Sequence, residues 1–292
     1  MAKKRQAPLL KKMLAKGRPP LAPKPQAVLS KKATQKLIRS HHGLNKKLAK
    51  AEARGDKEEV DKLNKQINDS GGLSSYQLAS IQGQSSERGG DSSVVLVEWL
   101  KDIKVVTASS EHKLRMLEVG ALSTDNACFK SGLFDIERID LNSQAPGIKK
   151  QDFMERPVPQ FEKDQFDIIS LSLVLNFVPT EEGRGAMLKR TCQFLDQRAP
   201  RTMPKGIQDN FPALFLVLPA PSVVNSRYFN DERLTLMMAS LGYVMLRREQ
   251  KRKLVYYLWL LRDKPSPDEQ HFRKEIIKSG GNRNNFCITM KP

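Results

Sequence analysis

Three short stretches carry residue types that could do chemistry together. Leu114-Arg-Met-Leu-Glu-Val-Gly-Ala121 is an apolar run with an acid, Glu118, near its end and a glycine, Gly120, opening the turn after it. Ile139-Asp-Leu141 brings a second carboxylate, Asp140, twenty residues beyond Gly120. Phe166-Asp-Ile-Ile-Ser-Leu-Ser-Leu-Val-Leu-Asn176 is a third apolar run, ending in hydroxyls and a carboxamide. An acid and a glycine turn closing a buried strand, followed about twenty residues later by an acid that accepts both ribose hydroxyls, form a site for a nucleotide-type cofactor on a doubly wound sheet.

The single glycine narrows the choice. A dinucleotide pyrophosphate needs the fuller turn with three glycines, which is absent here. A cofactor without phosphate fits better, and S-adenosyl-L-methionine is such a cofactor. On this reading Glu118, Gly120 and Ala121 hold one end of it, and Asp140 and Leu141 hold the ribose. Asp152 accepts from the exocyclic amine of adenine while the Phe153 ring packs on the base; Phe153 as plain core is the rival reading. Ser170, Leu171 and Ser172 line the cofactor from the end of the third run. Asn176 faces the substrate and is the catalytic candidate. Leu173, Val174 and Leu175 read as core.

Strands alternating with helices must position these groups. Strands are expected at about 114–119, 136–141, 167–173 and 213–218, with helices at 94–106, 124–132, 180–195 and 230–241. Thr180 caps the third of these helices, with Glu181 and Glu182 in its first turn. Residues 243–246 and 255–261, joined across Arg247-Arg-Glu-Gln-Lys-Arg-Lys253, read as a final antiparallel pair on a mostly parallel sheet. Upstream, residues 31–69 read as a helical hairpin turning at Arg54-Gly-Asp56, with Asp56 and Glu59 at capping-box spacing. The expected organisation is a disordered basic arm (1–30), a helical N-terminal domain with a cofactor-covering segment (31–93), the α/β domain (94–263) and a tail (264–292) that docks through Phe286 and Ile288.

Charge is uneven. Residues 1–55 hold sixteen Lys or Arg against one acid, a net +15 of the total +18, which leaves +3 for the other 237 residues. Such an arm neutralises phosphates and supplies sequence-independent nucleic-acid affinity; nuclear import through the same lysines is compatible with it. The three cysteines, Cys128, Cys192 and Cys287, form no CxxC pair, so neither a zinc site nor a disulfide framework is expected, and a reducing compartment fits. No apolar run is long enough for a membrane span, and Met1-Ala-Lys-Lys-Arg5 does not start a secretory signal. Residues 73–93 are rich in Gln, Ser and Gly. A linker fits that composition, and so does a loop folded over a polar ligand with Gln82, Gln84 and Arg88 as donors.

The third run resembles the strand-four segment of class I (Rossmann-like) methyltransferases. A wider set of motifs is more specific. Gly72-Leu-Ser-Ser-Tyr-Gln-Leu-Ala-Ser80, Gly83-Gln84, Arg88-Gly-Gly-Asp-Ser-Ser93, Leu117-Glu-Val-Gly-Ala121, Ser170-Leu-Ser-Leu-Val-Leu-Asn-Phe-Val-Pro179, Arg184-Gly-Ala-Met-Leu188 and Arg283-Asn-Asn-Phe286 together resemble the fungal large-subunit (25S) rRNA adenine-N(1)-methyltransferases. The resemblance covers about residues 35–292. That family includes among its metazoan relatives an S-adenosylmethionine sensor of nutrient signalling. The resemblance implies a class I fold, S-adenosyl-L-methionine as cofactor, large-subunit rRNA or a pre-ribosome as partner, a nucleolar enzyme that methylates ring nitrogen 1 of one adenine in that rRNA, and a glutamine-rich segment that belongs to the folded protein; a monomer is expected. A noncatalytic sensor binding protein partners and a small-molecule methyltransferase remain as alternatives; the basic arm disfavours both.

Overall fold

The computed structural model describes residues 31–72, 90–105, 113–143, 145–196, 208–263 and 271–291. Within them, seven strands form one sheet in the order β3-β2-β1-β4-β5-β7-β6. They are β1 (Leu114–Val119), β2 (Phe134–Asp140), β3 (Lys149–Lys150), β4 (Ile168–Ser172), β5 (Ala213–Pro219), β6 (Tyr243–Gln250) and β7 (Leu254–Leu261). The first five run parallel, and β7 is antiparallel to both its neighbours. The chain starts mid-sheet, winds outward to β3, returns to lay β4 beside β1, and winds outward again.

The pattern of burial explains why the sequence does this. Strand β5 is buried on both faces, and its run Ala-Leu-Phe-Leu-Val-Leu is apolar throughout, as an inner strand covered twice must be. One face carries Leu117, Val119, Leu171, Leu216 and Trp259, packed under helices α5 (Glu181–Phe194) and α7 (Asp231–Ser240). The other carries Met116, Ile168, Phe215 and Leu258, covered by α3 (Ser93–Asp102) and α4 (Ala127–Ser131). Trp99 of α3 meets Phe215 edge-on at 6.1 Å. A short helix, α6 (Ala220–Val224), follows β5 directly.

Helices α1 (Lys31–Arg54) and α2 (Lys57–Asp69) form the expected hairpin. Gly55 takes φ +70 at the turn, and Asp56 caps α2 by accepting from Glu59 N at 3.1 Å. Ala51 and Leu63 are fully enclosed along its apolar seam. Lys46 lies near the start of α5: burial and then the charge of Arg184 lower its pKa, with Glu181 opposing.

Beyond shifts of a few residues, such as α3 ending at Asp102 and β2 starting at Phe134, two boundaries differ from the sequence reading for a clear physical reason. Strand β6 continues through Arg247-Arg-Glu-Gln250, which reads as connection, because β6 is an edge strand and one side of it never meets the core. Charged side chains are compatible with such an edge and keep it from pairing with other chains. Helix α4 begins only at Ala127, where Asn126 caps it by accepting from Phe129 N at 3.0 Å.

The C-terminal segment is threaded against α5. Phe286 and Ile288 lie in the core. Thr289 N donates to Glu181 O at 3.0 Å, and a Cβ on Gly185 would overlap the Thr289 carbonyl. Arg184, 2% exposed, donates to the carbonyls of Leu175, Pro179 and Cys287 at 3.2, 3.2 and 2.6 Å, and its guanidinium lies 4.9 Å from the Phe286 ring centroid. It therefore joins the loop after β4 to the tail. Removing it strands three carbonyls that have little access to water, at about 1–3 kcal/mol for each unsatisfied group. Arg184→Met is expected to lower unfolding stability by about 3 kcal/mol or more in denaturant titration, with increased proteolysis of residues 271–291. An unchanged midpoint would show that the tail is held by its apolar contacts alone.

Candidate functional site

Because the winding reverses between β1 and β4, helices leave these two strands toward opposite faces, the arrangement in which an open α/β sheet has its ligand crevice beyond the carboxyl ends. Glu118 pairs in register with Arg138 on β2 and Ser170 on β4, so the acid sits between both neighbours just below the crevice floor. Gly120 forms the floor turn with φ +72, a conformation costly for any residue with a Cβ. A Cβ there would come within 2.8 Å of Val174 Cγ2. The amides of Gly120 and Ala121 both donate to Ile139 O, at 2.8 and 3.2 Å, tying the turn to β2.

Glu118 is the electrostatic centre of the site. Its side chain is 16% exposed. Oε1 accepts from Asn126 Nδ2 at 2.8 Å. Oε2 lies 3.3 Å from Arg138 Nε, but both atoms are buried without hydrogen-bonding geometry. Burial raises the carboxyl pKa, Asn126 and Arg138 oppose that rise, and the charge of Asp91 adds to it. Oε2 therefore faces the Arg138 guanidinium, and the carboxylate is charge-paired inside the protein.

The segment before α3 closes one side. Asp91 Oδ2 accepts from Ala127 N, the first amide of α4, at 2.5 Å, while Oδ1 accepts from Ser93 N and Oγ at 2.9 and 2.7 Å. The Ser92 and Ser172 hydroxyls are 2.7 Å apart, joining this segment to the tip of β4. Strand alternation puts Ser170 and Ser172 on the Glu118 side of the sheet, the side of α3 and α4.

Asp140 ends β2 with Oδ1 accepting from Asn142 N at 2.8 Å, a turn that holds its carboxylate at the strand end; Leu141 beside it is 59% exposed. Asp152 lies one residue past Gln151, whose amide donates to Asp140 O, and makes a similar turn to Met154 N at 2.7 Å. The two acids are thus neighbours at the carboxyl edge. Leu173 follows β4 at φ +58, a strained conformation for a leucine, and redirects the chain toward Asn176. Asn176 Oδ1 is buried with no hydrogen-bond partner among the described residues.

Two assignments need correction. The Phe153 ring is 2% exposed and packs on Phe194 at 5.2 Å between centroids, with Arg190 against it. No face of it remains for an adenine, so its side chain is core. Leu171 is fully buried on the opposite face of the sheet from Ser170 and Ser172, and only its backbone can line the crevice. Gln82, Gln84 and Arg88 lie outside the described residues. The sequence reading did not single out Asn126 and Arg138 as neighbours of Glu118, or Asp91 and Ser92 as the ties to Ala127 and Ser172. Only the Gly-Gly-Asp-Ser-Ser run hinted at the last two.

Other chemistries find little support. Among the described residues no group of three or more His, Cys, Asp or Glu could hold a metal ion, and no helix is long and apolar enough to cross a membrane. The three cysteines are free and buried, and burial raises the thiol pKa of Cys128, Cys192 (to about 11) and Cys287, so none is a ready thiolate.

A sheet of this order, with one antiparallel strand inserted next to the last and a glycine turn between two acids at the reversal point, defines a class I methyltransferase fold. A family model described as 25S rRNA (adenine(2142)-N(1))-methyltransferase, Bmt2, matches residues 61–288, and the chain belongs to that family. It is 42% identical over 229 residues to the 25S rRNA (adenine(2142)-N(1))-methyltransferase of Saccharomyces cerevisiae, covering 77% of this chain and 62% of that protein. It is 37% identical over 255 residues to the 25S rRNA adenine-N(1) methyltransferase of Schizosaccharomyces pombe, covering 87% of this chain and 90% of that one.

The floor turn yields a direct test. Gly120→Ala is expected to cost about 1–2 kcal/mol of stability from the left-handed backbone alone. Gly120→Arg, which also fills the crevice, is expected to abolish binding of S-adenosylmethionine in titration calorimetry. Retained affinity in the arginine variant would remove the cofactor from this turn.

Proposed function

We propose that this chain methylates ring nitrogen 1 of an adenine in large-subunit rRNA, using S-adenosyl-L-methionine held in the crevice beyond β1 and β4. The observation that carries the reading is the presence, at the carboxyl end of the sheet, of a buried carboxylate beside a glycine floor and of an unpartnered buried carbonyl, Asn176 Oδ1, in the loop after β4. Membership of a family named for this reaction supports the substrate.

The residues present fit the cofactor. Gly120 keeps the floor turn flat, since a Cβ there would run into Val174 Cγ2 at 2.8 Å, and Glu118 has an oxygen short of hydrogen bonds. Glu118 and its partner Asn126 would hold the methionine end, Asp140 the ribose hydroxyls, and Asp152 the adenine amine. When bound, S-adenosylmethionine supplies a methyl group made electrophilic by its sulfonium charge.

The chain's own task is positioning. Adenine N1 carries an in-plane lone pair and needs no base to remove a proton. Holding it in line is proximity catalysis, in which orientation does the work that a reactive side chain does elsewhere. Methylation makes the base cationic, and a buried carbonyl oxygen stabilises such a charge; Asn176 Oδ1 supplies it. The reacting nitrogen lies on the Watson–Crick edge, so the target must be unpaired or flipped out. The basic arm adds phosphate affinity, and we place the protein in the nucleolus, where pre-ribosomal RNA is made.

Asn176→Ala is expected to lower kcat about ten- to a hundredfold, the equivalent of one good hydrogen bond to a charged group, while cofactor affinity stays the same. In cells, deleting the gene should remove one primer-extension stop from the large rRNA, and the wild-type gene should restore it. An unchanged stop pattern would overturn the proposed function.

A further inference from the structure

The basic arm is not the molecule's one concentrated source of positive charge. Arg247-Arg-Glu-Gln-Lys-Arg-Lys253 holds five cations and one acid, a net +4 in seven residues, which exceeds the +3 carried by residues 56–292 as a whole. The sheet register fixes where this charge lies. Ser172, the last residue of β4, pairs with Val217, and β7 begins at Leu254 opposite Pro219, two residues further along. The turn Lys251-Arg-Lys253 therefore projects past the carboxyl ends of the parallel strands, on the same rim as Gly120 and Asn176. Lys253 O accepts from Ala220 N at 2.8 Å, which fixes the turn to the first residue after β5.

Edge protection accounts for part of the charge. Arg248 lies on β6 and is held by Asp231 at 3.0 and 2.6 Å. It does not account for the turn, which has no strand edge to guard. Lys251, Arg252 and Lys253 are all exposed. Lys251 extends over the Tyr256 ring, 5.5 Å from its centroid, with Glu249 at 3.5 Å as a loose, solvent-exposed partner. Arg252 makes no ion pair with a described residue. Strands lie about 4.8 Å apart, so a turn two strands from β4 begins about 10 Å from the reacting edge. That distance suits phosphates flanking a base presented there, and contacts of this kind set register on the nucleic acid without reading sequence.

We propose that the β6–β7 turn, through Lys251, Arg252 and Lys253, grips the phosphodiester backbone of the substrate RNA beside the target adenine. The proposal rests on the rRNA reading of the site and adds a second electropositive contact to the arm. The test uses the full chain with its arm intact and compares it with the triple variant Lys251→Ala/Arg252→Ala/Lys253→Ala. The probe is a fragment of large-subunit rRNA. The expected result is an RNA KM raised about tenfold or more near physiological salt. The slope of log affinity against log salt should fall by about 2, the single-strand value for three lost phosphate contacts. Lys251→Arg/Lys253→Arg should bind like wild type, and calorimetry with S-adenosylmethionine should show an unaltered crevice in both variants. An unchanged KM and salt slope in the triple variant overturns the proposal and leaves the methyltransferase reading standing. Failure of wild type to form 1-methyladenosine overturns that reading instead, and the salt slopes then judge the turn on their own.

Discussion

The reversal of winding between β1 and β4 is the constraint on which the other features depend. It sends α4 and α5 to opposite faces and leaves a gap that neither covers. Gly120 makes the gap usable, because its left-handed turn lies under Val174 with no room for a side chain. Glu118, two residues before it, contributes a carboxylate whose burial is only partly offset by Asn126 and Arg138. Arg138 pairs with this charge at 3.3 Å, and burial of the pair is the cost the fold carries at this edge. Strain and unsatisfied polarity concentrate here, at Leu173, Glu118 and Asn176, as they do where function competes with stability.

The remainder of the fold braces this edge. The pre-α3 segment ties α4 to β4 through Asp91 and Ser92, so the helix that caps the crevice cannot shift without the strand tip. On the opposite face, Arg184 collects carbonyls from the loop after β4 and from the C-terminal segment. The stretch that carries Asn176 is thereby held from behind by residues more than a hundred positions downstream. Gly185 makes the close approach of that segment possible, for the same steric reason that Gly120 makes the turn possible.

Elements set by local chemistry were legible in the sequence. Strands β1, β4 and β5 follow from apolar runs, the caps at Asp56 and Thr180 follow from spacing, and the place of Glu118, Gly120 and Asp140 follows from the strand-turn pattern. What depended on distant partners was not. Nothing local marks Arg138 as the neighbour of Glu118, since parallel register across an intervening helix decides it. The Phe153 and Leu171 side chains turn away from the strand end, and proximity in sequence to a site does not say which way a side chain points. Alternation along β4 sends Leu171 away from the serines, and the turn at Asp152 sends Phe153 into the core beside Phe194. The length of β6 was underestimated because an edge strand need not be apolar.

The central claim is that a methyl group passes at this edge to the ring nitrogen of an unpaired adenine. The most direct measurement incubates the purified full chain with methyl-labelled S-adenosylmethionine and a 25S rRNA fragment, digests the RNA to nucleosides under conditions that preserve ring-methylated adenine, and resolves them by mass. Label in 1-methyladenosine, lost in Gly120→Arg, is the expected result. Label in N6-methyladenosine, in another nucleoside, or in none would contradict the account.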